Sequence, residues 1–106
     1  MDRIATLQAM EREKPKDAFV QYALALEYKN CGDVTQSRLY FEKLVTEFAD
    51  YVPTYYHYAG MEAGEGNASL AIQLYEKGIE KAMMVNDSKT VRELKSAQEL
   101  IVNNLE

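Results

Sequence analysis

Gly32-Asp33 and Gly66-Asn67 stand 34 residues apart, and the same lag aligns Tyr22 with Tyr56, Ala25 with Ala59, Glu42 with Glu76 and Lys43 with Lys77. Similar residues follow it too: Ser37 with Ala71, Phe41 with Tyr75, and Val45 with Ile79. A chain that repeats itself at such an interval builds its fold by stacking copies of one small unit, because a unit of that length cannot bury its apolar face alone.

Apolar residues recur at helical spacing throughout, and no segment alternates as a half-buried strand does, so an all-α fold is predicted. Ile4, Leu7 and Met10 make one stripe of a first helix that ends before Pro15, since proline disfavours helix at the residue preceding it. Asp17 caps a second helix reaching Asn30, with Val20, Leu24 and Tyr28 along its buried line. Cys31-Gly32-Asp33 forms the turn: Gly32 takes the left-handed conformation that closes one helix, and Asp33 caps the next with Gln36 as the other half of a capping box. The third helix carries Leu39, Phe41, Leu44, Val45 and Phe48, apolar enough to pack on more than one side. A fourth begins near Val52 with Pro53 in its first turn and ends at Gly64-Glu65-Gly66, with Asn67 as the following cap. Leu70, Ala71, Leu74, Tyr75 and Ile79 mark a fifth, and Val91, Leu94, Ala97, Leu100 and Ile101 a sixth starting at Asp87 or Ser88. Short turns between six helices imply antiparallel neighbours.

A helix-turn-helix repeated at this period resembles the tetratricopeptide repeat family. The resemblance implies a right-handed stack of antiparallel helical hairpins in one domain covering residues 1 to 106. Repeat one would span 18 to 51 and repeat two 52 to 85, with 2 to 14 as half of a preceding repeat and 87 to 105 as a capping helix. It also implies that small residues of the paired helices meet beside an aromatic: Ala25, Ser37 and Phe41 in one repeat, Ala59, Ala71 and Tyr75 in the other. Pro15 matches the proline that closes such units; Ala49 and Met83 depart from that proline, and Glu62 stands where an aromatic is usual.

Several chemistries are set aside by counting. The net charge of -5 repels a phosphate backbone, so no nucleic-acid partner is expected. One cysteine permits no internal disulfide, and the amino terminus lacks the basic start and apolar run of a signal peptide, which points to a cytoplasmic protein. No stretch is long and apolar enough for a membrane span, and no Lys/Arg-rich amphipathic face marks a membrane surface partner. One His and one Cys cannot form the common zinc sets, so neither metal nor cofactor is expected. Cys31, before the turn glycine, reads as a small half-buried thiol, and His57 as a packing residue, so no enzymatic activity is expected. Gly60, Gly64 and Gly66 follow no strand and precede no Lys-Ser/Thr pair, unlike a phosphate loop. The final Leu105-Glu106 matches what an expression tag leaves behind and is given no structural role.

Eight tyrosines remain to be explained, four of them between residues 51 and 58. Tyr28, Tyr58 and Tyr75 read as packing residues. The family resemblance implies ligand binding on the concave face made by the first helix of each repeat, where Tyr22 and Tyr56 occupy equivalent positions. Phe19, Leu26 and Lys29 flank the first, and Pro53 and Gly60 the second. Lys89 and Arg92 of the capping helix would supply a basic edge. Tyr22, Leu26, Tyr56 and Gly60 replace the polar groups with which chaperone-binding members grip a carboxylate, so a different ligand is expected: a protein or peptide presenting apolar side chains beside an acidic one. The alternative is a structural role with weak homo-oligomers, because so short a stack leaves apolar ends partly uncovered.

Overall fold

A computed structural model describes residues 2–105. Glu106, of the terminal pair, lies outside them. The helices are α1 (Arg3–Glu13), α2 (Ala18–Asn30), α3 (Val34–Glu47), α4 (Pro53–Gly64), α5 (Ala68–Met84) and α6 (Ser88–Asn104), with no strand among the described residues. They form two compact units divided between Tyr51 and Val52. In the first, α1 packs on α2 and α2 on α3; in the second, α4 packs on α5 and α5 on α6.

Aspartates start four of the helices, each accepting a backbone N–H that the helix itself cannot satisfy. Asp2 accepts from Ile4 at 3.0 Å, Asp17 from Phe19 at 3.0 Å, Asp33 from Gln36 at 3.1 Å and Asp87 from Thr90 at 3.1 Å. Gly32 and Gly66 take φ of +86° and +88°, the left-handed conformation the turn requires. The residue after each donates its N–H five positions back, Asp33 to Tyr28 at 2.9 Å and Asn67 to Glu62 at 2.8 Å. Asn86, with φ of 58°, closes α5 in the same manner.

Some local expectations are corrected. Asn67 sits at the start of α5 but makes no side-chain capping bond. Its Nδ2 instead donates to Glu62 Oε1 at 2.8 Å, and Glu62 is fully buried, so a carboxylate removed from water takes the amide that would have served the helix. Cys31 is exposed where a half-buried thiol was expected, because it already stands in the turn outside α2. Leu39 and Leu100, both expected on apolar stripes, are 55% and 67% exposed, while Phe41 and Leu44 on the opposite side of α3 from Leu39, and Leu94 on α6, are fully buried.

The small-residue positions close as the repeat pattern requires. Ala25, Ser37 and Phe41 are all fully buried in the first unit, and Ser37 Oγ donates to the Ala25 carbonyl at 2.8 Å. In the second unit Ala59 and Ala71 are fully buried beside Tyr75. Gly78 makes a closer approach still: a Cβ there would lie 2.6 Å from Tyr55 Cβ and 3.2 Å from Leu94 Cδ1.

α1 buries no residue completely and is fastened by polar groups. Gln21 Nε2 and Tyr40 Oη donate to the two oxygens of Glu11 at 3.0 and 3.1 Å, and Gln8 Nε2 donates to Tyr28 Oη at 3.1 Å. The Tyr28 and Tyr40 rings stack with centroids 5.8 Å apart. Burial, and then the charge and hydrogen bond of Glu11, push the Tyr40 phenol from 10.0 up to about 12. The unfolded chain therefore ionises first: the contribution of Tyr40 is complete below pH 10.0 and is lost as pH rises toward about 12. Tyr40→Phe is expected to lower stability by about 1 kcal/mol at neutral pH, with the deficit closing across that alkaline window. Thermal melts of both proteins at stepped pH check this, and a deficit independent of pH would remove the Glu11 explanation.

Candidate functional site

The residues expected to form a ligand face fall on one side of each first helix. Phe19, Tyr22, Leu26 and Lys29 recur at the three- and four-residue steps that keep side chains together on a helix, and Pro53, Tyr56 and Gly60 repeat them on α4. In the first unit Phe19 is 56% exposed, whereas Tyr22, Leu26 and Lys29 are half-buried. Tyr22 rests against Tyr51, with ring centroids 5.4 Å apart and planes tilted by 56°. Burial, and then Tyr51, raise the Tyr22 phenol above its ordinary value, so it remains a neutral hydrogen-bonding group. Tyr51 was not singled out by the sequence, although its place in the tyrosine-rich run was the available signal.

In the second unit a cleft of about 370 Å³ opens between α4 and α6. Val52, Pro53, Tyr56 and His57 form one wall, and Asp87, Thr90, Glu93 and Leu94 the other. Tyr56 is 46% exposed, with Tyr75 edge-on to it at 6.4 Å and His57 at 5.5 Å. The Tyr75 phenol is raised by burial and then by Tyr56. These two ring contacts order Tyr56 where it lines the cleft. A second cleft of about 540 Å³ continues from Tyr56 along α6, lined by Arg92, Glu93, Ser96, Ala97 and Leu100. Gly60 is exposed, and Tyr75 Oη lies 3.7 Å from where its Cβ would stand.

The basic edge expected of α6 is divided. Arg92 lines the second cleft; Lys89 is exposed and lines neither. The cleft at Pro53 and Tyr56 is edged instead by Asp87 and Glu93. Asp87 Oδ2 accepts the Thr90 hydroxyl at 2.6 Å, and that bond, followed by the Thr90 N–H, holds the Asp87 carboxyl below the usual carboxylate range. The capping pattern was visible in the sequence, but that the cap also faces a cleft was not. Among the described residues no three His, Cys, Asp or Glu side chains gather as a metal site would require. Nor is any helix among them long and apolar enough to cross a membrane.

No family model and no curated protein matches the chain. Solved structures do. A tetratricopeptide repeat domain protein from Salinibacter ruber is 34% identical in its solution structure, with a TM-score of 0.79 over 83% of this chain and 89% of that one. Its crystal structure gives 34% identity and a TM-score of 0.78 over 85% and 100%. A Bordetella parapertussis protein solved in solution covers 98% of this chain and 90% of its own at a TM-score of 0.83, but at 16% identity it shares the fold alone. The chain belongs to the tetratricopeptide repeat family, a class of protein-interaction modules that are generally non-catalytic.

Proposed function

We propose that the chain binds a peptide or helix of a partner protein through the first-helix faces of its repeats, α2 presenting Phe19, Tyr22, Leu26 and Lys29, and α4 presenting Pro53, Tyr56 and Gly60. The observation that carries this reading is Tyr56, a large ring held edge-on by Tyr75 yet 46% exposed where it lines a cleft. An aromatic already ordered by its neighbours gives contact area with little further entropy to lose, which is what an anchor residue needs. The reading takes repeats of 18 to 51 and 52 to 85, with Tyr22 in the first and Tyr56 at the equivalent position of the second. The role is that of a scaffold without catalysis, and the composition favours the cytoplasm. Replacing Tyr22 and Tyr56 by Ala is expected to weaken binding of a peptide selected against the protein by about 1 to 4 kcal/mol. Calorimetry on the folded double variant measures it, and unchanged affinity rejects these two anchors.

Self-association is the second reading, favoured by the run Met83, Met84 and Val85, which are 59%, 72% and 64% exposed. A dimer in light scattering that Met84→Lys abolishes would support it, and a monomer at high concentration would remove it.

A further inference from the structure

Of the helices only α1 buries no residue completely. Ile4 and Leu7 on its apolar stripe are half-buried, and Met10 is 41% exposed. Arg3 Nε meets Glu27 Oε1 at 2.7 Å, but the Arg3 side chain is 77% exposed, and an ion pair so open to water contributes little. The contact that closes the helix is Glu11, whose two oxygens accept from Gln21 on α2 and Tyr40 on α3. That contact is imperfect. Gln21 is fully buried, and while its Nε2 reaches Glu11, its Oε1 has no hydrogen-bond partner among the described residues. A buried carbonyl left without a donor carries a cost that water removes once the group is uncovered. A cleft of about 290 Å³, lined by Glu11 and Tyr40 among others, gives water a way to the same contact.

We infer that α1 is a latch: it leaves the hairpin of α2 and α3 as one unit while that hairpin stays closed, and the Glu11 carboxylate is what shuts it. The hairpin is joined by contacts in which α1 takes no part, the Ser37 hydroxyl on the Ala25 carbonyl and the stacked rings of Tyr28 and Tyr40. The connection Lys14-Pro15-Lys16 is exposed at every residue, so movement about it uncovers nothing further. Once released, a helix of 11 residues is too short to persist in water, so undocking and loss of helix are a single event. The open state frees the hydroxyls of Tyr28 and Tyr40 from Gln8 and Glu11 and brings the Gln21 amide to solvent.

Native-state hydrogen exchange on the full chain, followed by NMR at stepped low urea, tests this. The amides from Leu7 to Lys14 are expected to share one protection factor, at least about tenfold below those of Leu24, Ala25, Phe41 and Leu44. Its dependence on urea should be weak, because little apolar surface is uncovered. Glu11→Ala should speed exchange across α1 by about tenfold. Leu44→Val, placed in the hairpin, should speed the α2 and α3 amides by about fivefold and leave those of α1 unchanged. Protection and urea dependence common to all three helices, or α1 accelerated by Leu44→Val as much as α2, would make α1 part of one cooperative unit and overturn the latch. Protection falling residue by residue toward Arg3 would overturn it as well, since fraying is graded. Exchange of α1 indifferent to Glu11→Ala would remove the carboxylate as its closure.

Discussion

Gly78→Val is expected to destabilise the second unit by about 3 kcal/mol, and Gly64→Ala to stabilise the same unit by up to about 1 kcal/mol, although both add carbon to a helical glycine. The opposite signs follow from what surrounds each position. A Cβ at Gly78 would lie 2.6 Å from Tyr55 Cβ, an atom fixed by its own backbone, with Leu94 Cδ1 at 3.2 Å on another side, so relief requires moving a helix. At Gly64, in the last turn of α4, nothing lies within 4 Å of a built Cβ, and the glycine only adds freedom to the unfolded chain. Urea titration should show the midpoint falling for one variant and rising for the other at unchanged slope. A Gly78→Val protein with the midpoint of the parent would show that α4 and α5 are not held as close as described.

Leu94→Ala is expected to cost about 2 to 5 kcal/mol, the range for emptying a closed apolar site. Leu94 is the one buried residue of α6, while Val91, Ala97 and Ile101 on the same stripe are half-buried. The helix therefore has one fully buried apolar anchor, beside which Gln98 Nε2 donates to the Ile72 carbonyl at 3.2 Å and to Glu76 at 2.8 Å, and the substitution should release it before the rest unfolds. Helical signal followed against urea would then fall in two steps, with a first amplitude corresponding to the 17 residues of α6. The cleft at Tyr56 would be lost in that first step, because Leu94 lines it. One cooperative transition close to that of the parent would mean that the half-buried residues suffice.

The parts of this architecture legible in the sequence were those with local causes. Asp17, Asp33 and Asp87 announce helix starts because a cap acts on N–H groups two or three residues away. Gly32 and Gly66 announce turns because the left-handed conformation selects glycine without help from the rest of the chain. Gly78 announced nothing: its need for a bare Cα comes from Tyr55, a residue on another helix. The charge of the cleft was hidden for a related reason. Successive side chains on a helix point about 100° apart, so Leu94, by fixing how α6 turns, decides that Glu93 and not Lys89 lines the cleft. Asn67 was read as a cap from its position, and only the burial of Glu62 explains why its amide turns elsewhere.

That last pair makes the two repeated turns unequal as hinges. At Gly32 the side chain of Asp33 serves only the helix that follows, so the turn can breathe without uncovering a buried polar group. At Gly66 the Asn67 amide reaches back to a carboxylate inside the unit, and opening the turn strips Glu62 of that donor at the same moment. Local excursions that are cheap around the first turn are thereby tied, around the second, to disruption of the interior beneath it. A fold built by repetition thus carries one loose corner and one stiff corner, and an inserted loop or fused segment belongs at the first.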